Sequence, residues 1–205
     1  MVEKKTVIAS ILAVRHGETQ WNTAGKMQGH LNSDLTDKGI MQARTAAKNL
    51  QKLQIDKFYC SDLARATQTA SIITESLGIP YEEVQDLRER NLGVFQGLTR
   101  DDAKFKYPDA YRSYKQYPHY QIPDGESFAE QYNRCVQCIE SIAKQNQGKT
   151  ILIVTHGGIL SCLMYKTFRL PLYQERVFKI PNASINKFLI SENNEWCLES
   201  WGCQN

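Results

Sequence analysis

The fold is decided by residues 7–19, which read VIASILAVRHGET. The first eight are apolar or small, which predicts a buried strand over residues 7–14, and the chain then turns at Gly17. His16 therefore stands at the carboxyl end of a strand, beside an arginine whose charge is permanent. This placement suits an imidazole nucleophile that acts on an anionic substrate. The plain alternative is a strand that simply ends in two polar residues, Arg15 and His16.

A second histidine follows a second apolar run. Residues 150–155, TILIVT, are rich in β-branched side chains and predict a core strand. The run ends at His156-Gly157-Gly158, after which residues 158–168 predict a helix. Two strands thus end in histidine and glycine.

An arginine follows a third strand. A short strand is predicted over residues 57–60, and residues 61–70, SDLARATQTA, begin a helix with Asp62 as its expected cap and Arg65 in its first turn. Binding sites in open α/β sheets form at the carboxyl ends of strands, where helix N-termini also favour anions. We therefore expect Arg65 to join the two histidines and Arg15 around one phosphate-sized anion. The alternative for Arg65 is an exposed helix residue.

The remaining pattern alternates helices and strands, which predicts one α/β domain over residues 1–205. Helices are predicted over residues 36–52, 62–77, 127–146 and 158–168, and strands over residues 7–14, 57–60, 81–84, 150–155, 184–190 and 195–201.

The segment from residue 99 to residue 123 is unusually rich in tyrosine. Tyr107, Tyr111 and Tyr114 follow helical spacing, which favours a small helical insertion that packs these rings on the body of the protein. The alternative is a lid whose phenolic and basic groups meet the substrate.

Charge, the apolar N-terminal run and the cysteines limit the possible partners and compartment of the protein. A net charge of +3 over 205 residues, with no basic tract, argues against a nucleic-acid partner. The apolar run up to Val14 is short for a secretion signal and leads into the expected nucleophile, so we expect a cytoplasmic protein without a membrane partner. Six cysteines are then expected as thiols, with Cys138 in the core and Cys135 flanking it.

Taken together, the motifs resemble one family. The chain carries, in order, RHGET at 15–19 with Trp21 and Asn22, LT at 35–36, SDLARATQTA at 61–70, RERNLGVFQG at 88–97 and THGG at 155–158. In this order they are similar to the motifs of the histidine phosphatase superfamily, the group that includes cofactor-dependent phosphoglycerate mutases. The resemblance covers most of the chain. It implies an α/β fold, a three-layer α/β/α sandwich around a mostly parallel mixed sheet, with a small helical lid-like insertion near 99–123.

The resemblance also implies roles for individual residues. His16 would be the nucleophile and become a phosphohistidine, with its other ring nitrogen held by a backbone carbonyl at the Gly17 turn. Glu89 would donate a proton to the leaving oxygen and later activate water. The other implied residues contact the phosphoryl group or the rest of the substrate: Arg15, Arg65 and His156 as neutralising groups, Asn22 as a neutral donor, and Gln28, Gly29 and Gly157 as further substrate-binding residues. No metal or other cofactor is implied.

Some of these roles have structural alternatives. Glu89 could pair with Arg88 or Arg90 on a solvated loop, and Asn22 could cap a turn without touching a ligand. His30 is expected to be a surface or packing residue.

The residues that follow Glu89 favour a phosphatase over a mutase. Mutases of the family carry a longer insertion between the Glu89 loop and the last catalytic strand, predicted here over residues 150–155. In this chain Asn91-Leu92 also stands where mutases favour a histidine-tyrosine pair. We therefore expect a phosphatase that hydrolyses small phosphorylated metabolites. A phosphoglycerate mutase and a non-catalytic module that binds phosphorylated ligands are the alternatives, and a homodimer paired through a sheet edge stays open.

Overall fold

The computed structural model describes residues 6–204 and contains one mixed sheet. Its strands are β1 (Val7–Arg15), β2 (Lys57–Cys60), β3 (Glu82–Glu83), β4 (Lys149–Thr155), β5 (Ile185–Ser191) and β6 (Trp196–Cys203). They lie in the order β3-β2-β4-β1-β5-β6. The first four strands in this order run parallel, and β5 is antiparallel to both of its neighbours. This arrangement places the carboxyl ends of β1, β2 and β4 side by side.

Helices cover both faces of the sheet. They are α1 (Gln20–Thr23), α2 (Asp37–Leu50), α3 (Ala64–Leu77), α4 (Arg100–Lys106), α5 (Pro108–Gln116), α6 (Phe128–Gln145) and α7 (Gly157–Phe168). Helices α2 and α3 contribute to the core on one face, and α6 and α7 contribute to the core on the other. The predicted three-layer α/β/α sandwich is confirmed.

Strand β1 is apolar without alternation because both of its faces are covered. Ile11 and Ala13 join the core beneath α6 and α7, whereas Leu12 and Val14 join the core beneath α2 and α3. A strand that is covered on both faces must be apolar at every position. Full burial of a side chain such as Leu12 contributes about 1.5–3 kcal/mol, so this strand anchors the loop that follows it.

The predicted cap of α3 was wrong. The helix begins at Ala64, two residues later than predicted, and its N-cap position is Leu63, which makes no side-chain capping bond. Asp62 instead accepts two hydrogen bonds from Arg88, from Nε at 2.6 Å and from Nη2 at 2.5 Å. A bidentate pair with a guanidinium is stronger than a bond to a neutral amide, so the carboxylate turns towards Arg88.

The two cysteines of α6 lie the other way round from the prediction. Cys135 is fully buried and shares the inward helix face with Ile139 and Ile142, whereas Cys138 is only partly buried. The phase of the helix decides this, because residues 135, 139 and 142 follow the i, i+4, i+7 spacing of one face. All six cysteines are free thiols.

The 99–123 insertion is helical, as predicted. It contains α4 and α5, and the rings of Tyr107, Tyr111 and Tyr114 surround the buried Phe95 with centroid distances of 6.1, 5.9 and 5.5 Å. Edge-on aromatic contacts of this kind stabilise packing, so the three tyrosines hold the insertion on the body of the protein. Among residues 6–204, the helices are all too short or too polar to cross a membrane.

Candidate active site

The two histidines meet at the carboxyl edge of the sheet. Strands β1 and β4 are adjacent and parallel, with Arg15 opposite Thr155 in the register, so the residues that follow them are neighbours. The ring centroids of His16 and His156 lie 5.3 Å apart, and both side chains are buried. The convergence that the sequence predicted is therefore present.

One ring nitrogen of His16 is fixed by the backbone. Its Nδ1 lies 2.7 Å from the Gly17 carbonyl oxygen, which can only accept, so the proton sits on Nδ1 and the lone pair sits on Nε2. Burial, followed by the charges of Arg65 and Arg15, holds the pKa of His16 well below 6.5. His16 is consequently a neutral imidazole with a nucleophilic Nε2.

His156 is held in the complementary orientation. Its Nε2 lies 2.7 Å from the hydroxyl of Ser61, which itself accepts from the Leu63 amide. The hydroxyl proton is then free for Nε2, which favours the tautomer with a proton on Nδ1. That Nδ1 is buried and bonds to no atom of the described chain, so it is a donor that an anion can satisfy. Burial, followed by Arg65, lowers the pKa of His156 well below 6.5.

Two arginines add positive charge and form no ion pair with any described carboxylate. Arg65 is 1% exposed and donates to the carbonyl oxygens of Gly29 at 2.7 Å and Leu31 at 2.9 Å. Arg15 donates to the Ile180 carbonyl at 2.5 Å. The Nε atoms of both arginines are buried and donate no hydrogen bond to any of residues 6–204. Burial, the largest cause, lowers the pKa of Arg65 to about 10, and the group stays charged at neutral pH. The exposed position considered for Arg65 was wrong.

Glu89 is the carboxylate of this cluster, and amide groups hold it in place. Its Oε1 accepts from the Arg90 amide at 2.9 Å and from Gln131 Nε2 at 2.8 Å, and its Oε2 accepts from the Gly158 amide at 2.9 Å. Burial raises the pKa of this carboxyl, but these hydrogen bonds and the charge of Arg65 outweigh it, so the net pKa is lowered.

The solvated ion pair considered for Glu89 is not formed. Arg88 pairs with Asp62, and the Arg90 guanidinium lies over the ring of Tyr114 at 4.8 Å from its centroid. His30 Nε2 lies 2.8 Å from the backbone oxygen of Glu89, so this partly buried histidine braces the same loop.

The remaining predicted residues line or support the site. Asn22 Oδ1 accepts from the Thr19 amide and from Asn182 Nδ2, so the capping role considered as the alternative is formed. Its predicted contact with substrate stays a prediction. Gln28 is buried, and its side-chain oxygen has no partner within the described residues. Gly29, at φ +55°, supplies the carbonyl that holds Arg65. Gly157 begins α7 beside Arg15.

Three supporting residues were missed by sequence reasoning. Ser61 orients His156, Gln131 orients Glu89, and Asn182 donates to the His16 carbonyl oxygen at 3.1 Å. Ser61 had a detectable signal, because it directly follows β2 just as His16 follows β1. Gln131 and Asn182 had none, since a polar side chain on a helix or in a loop gives no local indication of its partner.

Comparison with known proteins places the chain in a family. The model of the histidine phosphatase superfamily (branch 1) matches residues 11–204. The chain belongs to the histidine phosphatase superfamily. It is 40% identical over 198 residues to phosphoglycerate mutase-like protein 4 of Arabidopsis thaliana, covering 95% of this chain and 85% of that one. It is 36% identical over 204 residues to metal-independent phosphoserine phosphatase of Arabidopsis thaliana, covering 98% and 84%.

The solved structures agree with this membership. The histidine phosphatase fold of this chain superimposes on Bacillus stearothermophilus YhfR with a TM-score of 0.88 at 32% identity, covering 95% of this chain and 96% of that one. The predicted family, fold class and histidine-phosphatase type of enzyme are thereby confirmed. The roles of the individual site residues stay predictions, now supported by geometry.

Proposed function

We propose that this histidine phosphatase is a metal-independent hydrolase of small phosphomonoesters that works through a phosphohistidine on His16. One observation carries the proposal: His16, with its lone pair on Nε2, lies among cationic and donor groups whose buried nitrogens have no partner within residues 6–204. Arg15, Arg65 and His156 provide these groups, and an ester phosphate is the anion whose three non-bridging oxygens they match.

In the first step, His16 Nε2 attacks phosphorus and the bond from phosphorus to the ester oxygen breaks. The leaving oxygen takes a proton from Glu89, and the phosphoryl group stays on Nε2. The Gly17 carbonyl bond to Nδ1–H stabilises the positive charge that this ring gains. Arg15 and Arg65 stabilise the charge on the transferred group, whose transition state is largely dissociative.

In the second step, water attacks the phosphohistidine. Glu89 takes the proton of the water, the bond from phosphorus to Nε2 breaks, and inorganic phosphate leaves. His16 returns to its neutral form, and Glu89 gives the proton that it took from water to the departing phosphate. Its carboxyl is then ionised as in the free protein, so the cycle closes without a cofactor.

The proton that Glu89 donates must arrive with the substrate. The pKa of Glu89 is lowered in the free protein, so its carboxyl is ionised at neutral pH. A phosphate monoester has its second pKa near about 6, and a bound phosphate dianion raises the pKa of a carboxyl beside it. The monoanion of the ester therefore delivers one proton, and Glu89 passes it to the leaving oxygen.

The setting of the reaction is part of the proposal. We propose a cytoplasmic enzyme whose partner is a small phosphorylated metabolite, and the six free thiols support a reducing compartment.

The relative named metal-independent phosphoserine phosphatase supports hydrolysis. A phosphoglycerate mutase is the second candidate, favoured by the relative named phosphoglycerate mutase-like protein 4. Conversion of 3-phosphoglycerate into 2-phosphoglycerate faster than phosphate release would establish the mutase instead.

The test is to trap the covalent intermediate. The protein is mixed with a phosphate ester labelled with ³²P, quenched in alkaline denaturant, which preserves phosphohistidine, and mapped by mass spectrometry. We expect label on His16, none in His16→Ala, and undiminished label in His119→Ala, whose exposed histidine lies outside the site. Phosphate release without label on His16, or release by His16→Ala at the wild-type rate, would contradict the mechanism.

A further inference from the structure

The segment between α7 and β5 carries an arginine to the edge of the active site. Arg176 Nη1 lies 3.3 Å from the hydroxyl oxygen of Ser161, and that hydroxyl donates to the Gly157 carbonyl at 3.0 Å. Gly157 is the residue whose Cα faces the Arg15 guanidinium. Repulsion from Arg176 also contributes, after burial, to the lowered pKa of Arg15. Arg176 is therefore close to the phosphate-binding arginine while remaining exposed.

Arg176 has no carboxylate partner among residues 6–204. The adjacent carboxylate, Glu175, pairs with Lys115 at 3.8 Å instead. Arg88, by contrast, is neutralised by its pair with Asp62. An exposed arginine without a partner is ordinarily just solvated, but here the guanidinium is oriented by Ser161, whose residue is only 6% exposed. A positioned, uncompensated guanidinium is a binding group for an acidic ligand.

Aromatic contacts link the segment of Arg176 to the loop that carries Glu89. The Tyr165 hydroxyl donates to the Gln174 carbonyl, which holds the segment that carries Arg176. Tyr165 packs against Phe128 at a centroid distance of 5.4 Å, and the Arg90 guanidinium lies over Phe128 at 5.4 Å. These contacts connect Arg176 to Arg90, the residue that directly follows Glu89, the carboxylate assigned to the leaving oxygen.

We propose that Arg176 is a specificity-determining residue that binds a second acidic group of the substrate. The substrate class is then phosphomonoesters that carry a further carboxylate or a second phosphoryl group. This inference rests on the proposed function, because it concerns the part of the same substrate that does not react.

The experiment compares matched pairs of esters that differ by one acidic group. The pairs are 3-phosphoglycerate against glycerol 3-phosphate, O-phosphoserine against O-phosphoethanolamine, and fructose 1,6-bisphosphate against fructose 6-phosphate. Phosphate release gives kcat and KM for the wild type, Arg176→Ala and Arg176→Lys, with p-nitrophenyl phosphate as the reference. Lys179→Ala is the matched control, since it removes an exposed positive charge from the same segment.

We expect the wild type to prefer the acidic member of at least one pair. In Arg176→Ala, kcat/KM for that member should fall about 10- to 100-fold, mostly through KM, because a charge-assisted hydrogen bond is lost. The loss on p-nitrophenyl phosphate in Arg176→Ala should be at least fivefold smaller than the loss on the acidic ester. Lys179→Ala should stay within about twofold on every ester, and Arg176→Lys should recover part of the preference. The pair that responds identifies the acidic group as carboxylate or phosphoryl.

The outcomes separate the two proposals. Release from no ester, p-nitrophenyl phosphate included, would overturn the proposed function. Hydrolysis with no preference in any pair, an equal loss on both members in Arg176→Ala, or an equal effect of Lys179→Ala would overturn the role of Arg176 and leave the phosphatase in place.

Discussion

Replacing Gly158 by alanine should displace the carboxylate assigned to proton transfer. A Cβ atom at this position would lie 1.9 Å from Glu89 Oε1 and 2.6 Å from Gln131 Nε2. Ordinary contacts begin near 3.4 Å, so Oε1 must retreat by about 1.5 Å. Both oxygens of Glu89 are held by hydrogen bonds that this movement would stretch, including the bond from the Gly158 amide.

The size of the effect follows from what Glu89 does. General acid–base catalysis contributes about 10²–10⁴-fold, and a misplacement of about 1 Å can cost about 10²-fold. We therefore expect kcat for an alkyl phosphate to fall about 100-fold in Gly158→Ala. The loss for p-nitrophenyl phosphate should be much smaller, because its leaving group departs without a proton. The folded state should also lose stability, because the stretched bonds leave a buried carboxylate less well satisfied. The helix propensity that alanine gains over glycine, about 1 kcal/mol, offsets only part of that loss.

A second variant and a double mutant test the reasoning. Gly157→Ala places its Cβ 3.5 Å from Arg15 Nε, an ordinary contact, so its loss should be at least tenfold smaller. Glu89→Asp shortens the side chain that meets the new methyl group, so adding Gly158→Ala to Glu89→Asp should cost much less than Gly158→Ala alone. Three results would refute this reasoning. They are wild-type kcat in Gly158→Ala, an equal loss of kcat on both esters, and a double mutant whose loss is the full product of the two single losses.

The remaining predictions concern stability and charge. Because burial lowers the pKa of His16 and His156, the unfolded chain binds more protons than the folded one once the pH falls below about 6.5. The free energy of unfolding should therefore decrease from pH 7.5 to pH 5 in urea titrations, and a flat or opposite dependence would contradict neutral histidines. Arg65→Lys loses the planar fork that bonds two carbonyls, so kcat/KM should fall about 100-fold, and steady-state kinetics with near wild-type activity would exclude its role. Asp62→Asn removes the partner of Arg88 and should lower the free energy of unfolding by about 1 kcal/mol, whereas an unchanged denaturation midpoint would show that the pair contributes nothing.

The sequence determined the fold where hydrophobic burial dominates. Strands β1 and β4 and helix α6 were predicted to within about two residues, because their apolar patterns are local signals. The cap of α3 was misjudged because the partner of Asp62 is Arg88, which lies 26 residues away. Local propensity cannot account for a competing long-range ion pair.

In the candidate site, too, some residues could be predicted from local patterns and others could not. The predicted residues at the ends of β1 and β4 and in the first turn of α3 converge, because parallel strands bring their carboxyl ends together. The residues that orient them did not follow from any pattern. Gln131 reaches Glu89 from α6, and Asn182 reaches His16 from the loop before β5. Such contacts depend on how distant elements pack, which only the three-dimensional structure shows.

The way the cations are held explains why the site can take an anion. Arg15 and Arg65 are anchored by backbone carbonyls, which accept hydrogen bonds but do not cancel a full charge. Glu89, the carboxylate nearby, is itself engaged by two amides and by Gln131. Two buried guanidiniums beside two neutral imidazoles are costly to the folded state, as the lowered pKa of Arg65 to about 10 indicates. A phosphate group offsets that cost when it binds, so the positive charge that destabilises the empty site becomes binding energy for the substrate.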